Sequence, residues 1–338
     1  MSILSVDNLT IEFRQKRRVV TAVRNLSFEV ARGETLAIVG ESGCGKSLTA
    51  LSLLGLLPPT GHVAAGHIRL EGRDLVGLSE PYLRDLRGRR IAMIFQEPMT
   101  ALNPVLTIGE QIVEAIREHE AVSAAVARRR ALALLDRVRI PDAARRFDDH
   151  PHRLSGGMRQ RVMIAIALAC SPAVLVADEP TTALDVTIQA QILSLIDELK
   201  RDSGTAVVLI THDLGVVAEH ADRVLVMYAG RKVEEGQTDD LLARPLHPYT
   251  RGLIAARPDP ERFLEGHRDR LTEIPGMVPP LWDMPTGCSF APRCSFATAA
   301  CALGQPPLLP YGDDASVACL RTGDIRAAER IPHPATAG

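Results

Sequence analysis

Residues Gly40-Glu41-Ser42-Gly43-Cys44-Gly45-Lys46-Ser47 fit the pattern G-x-x-x-x-G-K-[ST], and they lie between two apolar runs, Thr35–Val39 and Leu48–Leu57. Strand, glycine-rich loop and helix in that order form the setting a phosphate-binding loop needs. Glycines let successive backbone N–H groups turn toward phosphate oxygens, and the helix N-terminus adds partial positive charge. In such a loop Lys46 reaches the β- and γ-phosphates and the Ser47 hydroxyl ligates Mg²⁺. The pattern alone arises by chance in on the order of one chain in a hundred. A plain glycine-rich turn therefore competes with the phosphate reading until the motifs further along are counted.

The chain has 338 residues, enough for about two domains and a sizeable core. Its formal net charge of −2 offers no global basic field for nucleic acid. The longest apolar stretch, Val162–Ala177, is broken by Ser171-Pro172 and is too short to span a bilayer. Met1–Phe13 alternates like an edge strand and lacks a signal-peptide pattern, so the expected setting is cytoplasmic. Of six cysteines, Cys44 lies in the phosphate loop and Cys170 in an apolar helical run. Cys288, Cys294, Cys301 and Cys319 crowd the C-terminal part, which in a reducing compartment favours metal over disulfide.

Short strands are expected at Ile3–Leu9, Val19–Val23, Leu26–Val30, His67–Leu70 and Ile91–Phe95. Between residues 105 and 145, Ala131, Leu134, Leu135 and Val138 recur at helical spacing among Arg128, Arg129, Arg130, Arg137 and Arg139. That predicts a helical insertion with a solvated basic face. Ala173–Ala177 and Ala206–Ile210 then read as buried parallel strands ending in Asp178-Glu179 and Thr211-His212-Asp213. Ligands of open parallel sheets bind outside the carboxyl ends of the strands, so these residues should meet the phosphate loop there. After about residue 245 proline becomes frequent, which predicts a loop-rich tail.

Two adjacent acids at a buried strand end are costly without a cation or bound water. Beside a phosphate loop, Asp178 would hold Mg²⁺ through water, and Glu179 would orient or deprotonate the water attacking the γ-phosphate. Leu154-Ser155-Gly156-Gly157-Met158 precedes a helical run. Ser155 reads as its N-cap, and the two glycines leave N–H groups open to an anion.

Together these motifs resemble the ATP-binding cassette (ABC) family over roughly residues 3–250, with Ser155, Gly156 and Gly157 as its signature segment. The resemblance implies a RecA-like α/β P-loop core with an antiparallel β subdomain and a helical insertion at about residues 97–165. It implies that Gln96 senses Mg²⁺ and the attacking water, and that His212 contacts the γ-phosphate. Ala183-Leu184-Asp185 matches the family's dimer-contact loop, and Phe13 is the candidate for stacking on adenine, with strand core as the other reading. Met158 and Leu48 depart from the residues many members carry there, Gln and Thr. ATP would be bound between the Lys46 loop of one cassette and the Ser155 segment of another, so the resemblance implies a dimer.

His247-Pro248-Tyr249-Thr250-Arg251-Gly252-Leu253, Ile274-Pro275-Gly276 and Gly287–Cys294 resemble the C-terminal extension of the oligopeptide/dipeptide importer branch, here 251–338. Gln96–Pro104 points the same way. The resemblance implies an ATPase at the cytoplasmic face of the membrane, working with two permeases, a second cassette and an external solute-binding protein, without nucleic acid. Peptide is the implied solute, with nickel, opine or oligosaccharide import and a soluble non-transport ATPase as alternatives. The tail cysteines are spaced C-x5-C-x6-C-x17-C. Four thiolates match a [4Fe–4S] cluster or a zinc site, or they remain free or disulfide-linked thiols. The branch resemblance implies the cluster, as a staple for a tail with little core of its own.

Overall fold

The computed structural model describes residues 2–15, 18–96, 101–181, 185–256, 273–312 and 314–329. The chain opens with a long antiparallel hairpin, β1 (Ser2–Gln15) and β2 (Arg18–Ala31), where three short strands are expected from sequence. Register shifts carry the pairing past Asn8 and Asn25, both at φ 49°, so the polar breaks are bulges inside strands and not turns. Asparagine suits them because it tolerates the left-handed region. β3 (Thr35–Val39) and α1 (Lys46–Leu53) follow. β4 (Gly61–Leu70) and β5 (Arg73–Asp74) return to the hairpin, giving an antiparallel sheet in the order β2-β1-β4-β5. α2 (Glu80–Leu86) leads to β6 (Ile91–Ile94).

The helical insertion comprises α3 (Ile108–His119), α4 (Ala124–Arg137), the short α5 (Ala143–Arg146) and α6 (Gly156–Ala167). Thr107 and Glu110 form a capping box at the start of α3, and Ser123 caps α4. Ile108, Ile112 and Ile116 of α3 meet Ala127, Ala131 and Leu135 of α4 in one buried cluster, as a 3.6-residue apolar period requires. The expected basic face is largely matched within the chain. Arg130 pairs with Glu120, Arg137 with Asp202 and Arg139 with Glu198, while the Arg128 guanidinium lies 3.9 Å from the Phe147 ring centroid.

β7 (Val174–Asp178), α7 (Val186–Ser203), β8 (Ala206–Ile210), α8 (Leu214–His220), β9 (Arg223–Tyr228) and β10 (Arg231–Gln237) complete the second sheet's core. β6, β7, β8, β3 and β9 run parallel in that spatial order. Every residue of β3, β6, β7 and β8 is buried, which is why these strands read as continuous apolar runs. Among the described residues no helix is long and apolar enough to cross a membrane.

The tail contains α9 (Thr238–Ala243), α10 (Pro248–Ala255), β11 (Leu309–Tyr311), β12 (Ala315–Val317) and α11 (Thr322–Glu329). β12 pairs with β10, so the tail extends the core sheet. Tyr228, Tyr249 and Phe290 pack with ring centroids 4.7–5.5 Å apart, joining β9, α10 and the tail in one apolar cluster. This packing replaces the expected metal staple. Among the described residues no three His, Cys, Asp or Glu side chains are arranged to hold a metal ion, so the [4Fe–4S] cluster and the zinc site at Cys288, Cys294, Cys301 and Cys319 are both corrected. All four are free thiols. Burial pushes the Cys288, Cys294 and Cys319 thiols up. The Cys319 sulfur accepts the Arg321 N–H at 3.3 Å, and the Cys301 sulfur lies 3.7 Å from Thr298 Oγ1.

His247 marks the junction between core and tail. It is 2% exposed, and its Nδ1 accepts the Tyr249 N–H at 3.1 Å, capping α10. The buried Glu234 carboxylate accepts the N–H groups of Leu246 (2.6 Å) and His247 (2.9 Å). Burial pushes the His247 imidazole down to about 3. The unfolded chain then takes up this proton first as pH falls below about 6.5, so His247 costs stability progressively between there and about pH 3. The contribution is at most about 1.4 kcal/mol per pH unit. In urea unfolding between pH 7.5 and pH 5, His247→Asn, which keeps a capping oxygen, should flatten the acid side of the stability profile. An unchanged slope would exclude His247 as its source.

Candidate functional site

The phosphate loop leaves β3 at its carboxyl end and enters α1 at Lys46. Two of its glycines are dictated by space. Gly40 has φ 153°, and a Cβ there would lie 2.2 Å from the Met227 carbonyl oxygen. Gly45 has φ 100°, and a Cβ would lie 2.9 Å from Val23 Cγ2. The Lys46 ammonium is buried and folded back onto the loop, donating to the Gly40 carbonyl at 2.7 Å and the Glu41 carbonyl at 3.1 Å. Cys44 is fully buried, and burial pushes its thiol up, so it fills space beneath the loop as a neutral group.

Ser47 opens toward β7. Its hydroxyl donates to Asp178 Oδ1 at 3.2 Å, joining positions 131 residues apart. Asp178 is the last residue of β7 and is buried. Burial raises its pKa, the Ser47 hydrogen bond opposes that, and the neighbouring Glu179 adds to it. A hydroxyl and a carboxylate held together are hard oxygen donors of the type Mg²⁺ takes, and two protein oxygens suit an ion whose other ligands are waters and substrate phosphates. The residues present therefore fit Mg²⁺.

Glu179 sits at φ 47°, and its N–H donates to the Ile210 carbonyl at 2.9 Å, which fixes the turn off β7 to the end of β8. Gln96, just past β6, donates from Nε2 to Glu179 Oε2 at 2.9 Å. His212, just past β8, places Nδ1 3.2 Å from Glu179 Oε1. Four adjacent parallel strands thus deliver Lys46 and Ser47, Gln96, Asp178 and Glu179, and His212 to one end of the sheet. The arrangement joins a cation and a metal-type oxygen pair to a carboxylate flanked by an amide and an imidazole. That set suits holding a polyphosphate and handling the proton of an attacking water.

Other expected residues lie apart from this group. Ser155 accepts the Met158 N–H at 3.4 Å as N-cap of α6, with Gly156 and Gly157 in the first turn. A Cβ on Gly157 would lie 2.9 Å from Ile188 Cγ2, so α6 presses on α7 there. Among the described residues no hydrogen bond links Ser155 to the phosphate loop. Asp185 caps α7 by accepting the Ile188 N–H at 2.9 Å, while Ala183 and Leu184 lie outside the described residues. So do residues 97–100 of the Gln96–Pro104 segment. The Phe13 ring lies against Gly61, where a Cβ would come within 2.9 Å of it, on the antiparallel sheet.

The sequence reading missed a second set of contacts with the loop. Glu41 donates its N–H to Tyr249 Oη at 2.8 Å, and its carboxylate receives Arg293 Nη1 at 2.9 and 3.0 Å. Both partners stand in segments singled out for their branch resemblance, His247–Leu253 and Gly287–Cys294, but nothing in their spacing ties them to residue 41.

The ABC transporter family matches residues 23–182, and the family described as the oligopeptide/dipeptide transporter C-terminal region matches residues 233–301. A Sinorhizobium fredii protein named as a peptide ABC transporter ATP-binding protein is 54% identical over 324 residues, covering 96% of each chain. A Brucella abortus protein named as a peptide import ATP-binding protein is 53% identical over 314 residues, 93% of each. Among solved structures, the dimeric ATP-binding cassette MJ0796 in a post-hydrolysis state with ADP and Pi is 29% identical, with a TM-score of 0.63, over 70% of this chain and 98% of that one. CbiO1 from Clostridium perfringens, part of an ABC transporter complex, is 27% identical with a TM-score of 0.62, over 72% of this chain and 91% of its own.

The loop's steric limits give a graded expectation. Gly40→Ala forces backbone to move and should cost about 3 kcal/mol of stability. Gly43→Ala, where a Cβ meets nothing within 4 Å but φ is 78°, should cost about 1 kcal/mol. Calorimetric midpoints in that order check the packing beneath the loop, and equal losses would refute it.

Proposed function

The chain belongs to the ATP-binding subunits of ABC transporters, and we propose that it powers an importer of di- or oligopeptides. It is an ATPase that dimerises with a second cassette and works with membrane permeases, to which it attaches peripherally. In our reading it sits at the cytoplasmic face, the second cassette is a different chain, and an external solute-binding protein supplies the peptide. The relatives named for peptide import and the matching C-terminal region support the solute class.

The observation that carries the chemistry is the meeting of Lys46, the Ser47–Asp178 pair and the Gln96–Glu179–His212 group at one sheet end. We assign Lys46 to the β- and γ-phosphates of ATP, released from the two loop carbonyls it now holds. Ser47 and Asp178 would hold Mg²⁺, Asp178 through water. Mg²⁺, when bound, neutralises phosphate charge as the transferred group departs. Glu179 orients the attacking water and takes its proton, with Gln96 and His212 fixing the carboxylate's two oxygens. His212 also faces the γ-phosphate. Ser155, Gly156 and Gly157 would bind the γ-phosphate held by the partner cassette, whose N–H donors cost no reorganisation at the moment of reaction. Asp185 lies where the two cassettes would meet. ATP-driven closure of the dimer would move the surface beside Gln96 and the α3–α4 insertion, and with it the permeases.

Glu179→Gln removes the base and keeps the shape. ATP turnover should fall at least about 100-fold while ATP binding persists, and size-exclusion chromatography with ATP should show a trapped dimer. Hydrolysis at the wild-type rate would remove Glu179 from this role.

A further inference from the structure

Glu41 is an acidic residue inside the phosphate loop, and each of its polar groups is engaged. Its carbonyl accepts the Lys46 ammonium at 3.1 Å, its N–H donates to Tyr249 Oη at 2.8 Å, and its carboxylate meets Arg293 Nη1 at 2.9 and 3.0 Å. The last two partners come from the C-terminal part of the chain. Arg293 is held from several sides. Its side chain is 5% exposed. Its Nε donates to the Pro275 carbonyl at 2.9 Å, Nη2 to the Ile274 carbonyl at 3.3 Å and Nη1 to Tyr228 Oη at 3.4 Å. Its guanidinium lies 5.8 Å from the Tyr228 ring centroid and 6.0 Å from that of Phe290. A buried cation positioned by tail carbonyls and two aromatic rings thus projects its charge onto the phosphate loop.

We propose that Arg293 is a positioning residue for nucleotide binding: from the C-terminal extension it neutralises Glu41 and, with Tyr249, sets the loop that receives the triphosphate. A carboxylate left unpaired in this loop would repel the incoming phosphates, and the repulsion would be strong in a partly buried site. Loss of the Arg293 and Tyr249 contacts would also free the Glu41 backbone, whose carbonyl holds the Lys46 ammonium before ATP arrives. Because Arg293 belongs to the tail, anything that shifts the tail changes ATP affinity, and ATP reciprocally biases the tail. The inference rests on the reading that Gly40–Ser47 binds ATP.

The test is a double-mutant cycle on the full chain. Affinity is read with a fluorescent ATP analogue and Mg²⁺, and hydrolysis gives kcat and KM. Arg293→Met should weaken binding about tenfold and raise KM by a similar factor, with kcat at saturating ATP within about twofold of wild type. In a Glu41→Gln background the same change should cost less than about threefold, because the charge it served is gone. Tyr249→Phe, which keeps the ring packing, should weaken binding by about threefold. If Arg293→Met does not fold, Arg293→Gln, which also removes the charge, replaces it in the cycle. Equal losses in both Glu41 backgrounds, or none, overturn the inference while the ATPase reading stands. A wild-type chain that binds no nucleotide overturns both.

Discussion

Ile38 of β3, Ile210 of β8 and Asp178 of β7 stand in one row across the parallel sheet, and the adjoining row pairs Ala177 with Ile94 of β6. The site depends on this register. Asp178 stands in that row, and Lys46, Ser47, Gln96, Glu179 and His212 follow the ends of their strands, so alignment of the strands is alignment of the chemistry. Side chains alternate faces along a strand, and a slip of one residue in β7 would turn Asp178 away from Ser47. The register is secured because the strands are apolar on both faces and fully buried, which makes any slip costly throughout the sheet. The hydrogen bond from the Glu179 N–H to the Ile210 carbonyl carries the row one step beyond the strands.

Much of this was legible in sequence because it is local. The phosphate loop, the buried strands and the cap at Ser155 each follow from a few neighbouring residues whose chemistry admits few conformations. The β1–β2 hairpin was legible only in pieces, since Asn25, between two expected strands, signals a break equally well as turn or bulge, and only pairing with the neighbouring strand decides. The grouping of Gln96 and His212 around Glu179 rests on strand order, which periodicity does not contain. The family resemblance supplied that order. The Arg293–Glu41 pair spans 252 positions and carries no local mark, so it was out of reach.

The tail cysteines show the opposite error. Four cysteines close in sequence suggested one ligand set, but sequence spacing says nothing of where the sulfurs point. In the fold burial, and after it the nearness of the other tail thiols, raises the pKa of Cys294 and Cys319, yet all four remain free thiols. The tail gains its cohesion from the Tyr228–Tyr249–Phe290 cluster and from strand pairing onto β10. A segment that looked too poor in apolar residues to hold itself together borrows the core of the cassette.

That strand pairing also ends the sheet. β10, paired with β9 on one side, would otherwise present open N–H and C=O groups along its other edge, a template for any extended chain. β12 pairs with it at Glu234 and Glu235, β11 pairs with β12, and this last strand is only three residues long with Pro310 at its centre. Proline has no N–H to offer a further strand. A cassette trimmed of its C-terminal extension would therefore bare this edge of the core sheet to other extended chains.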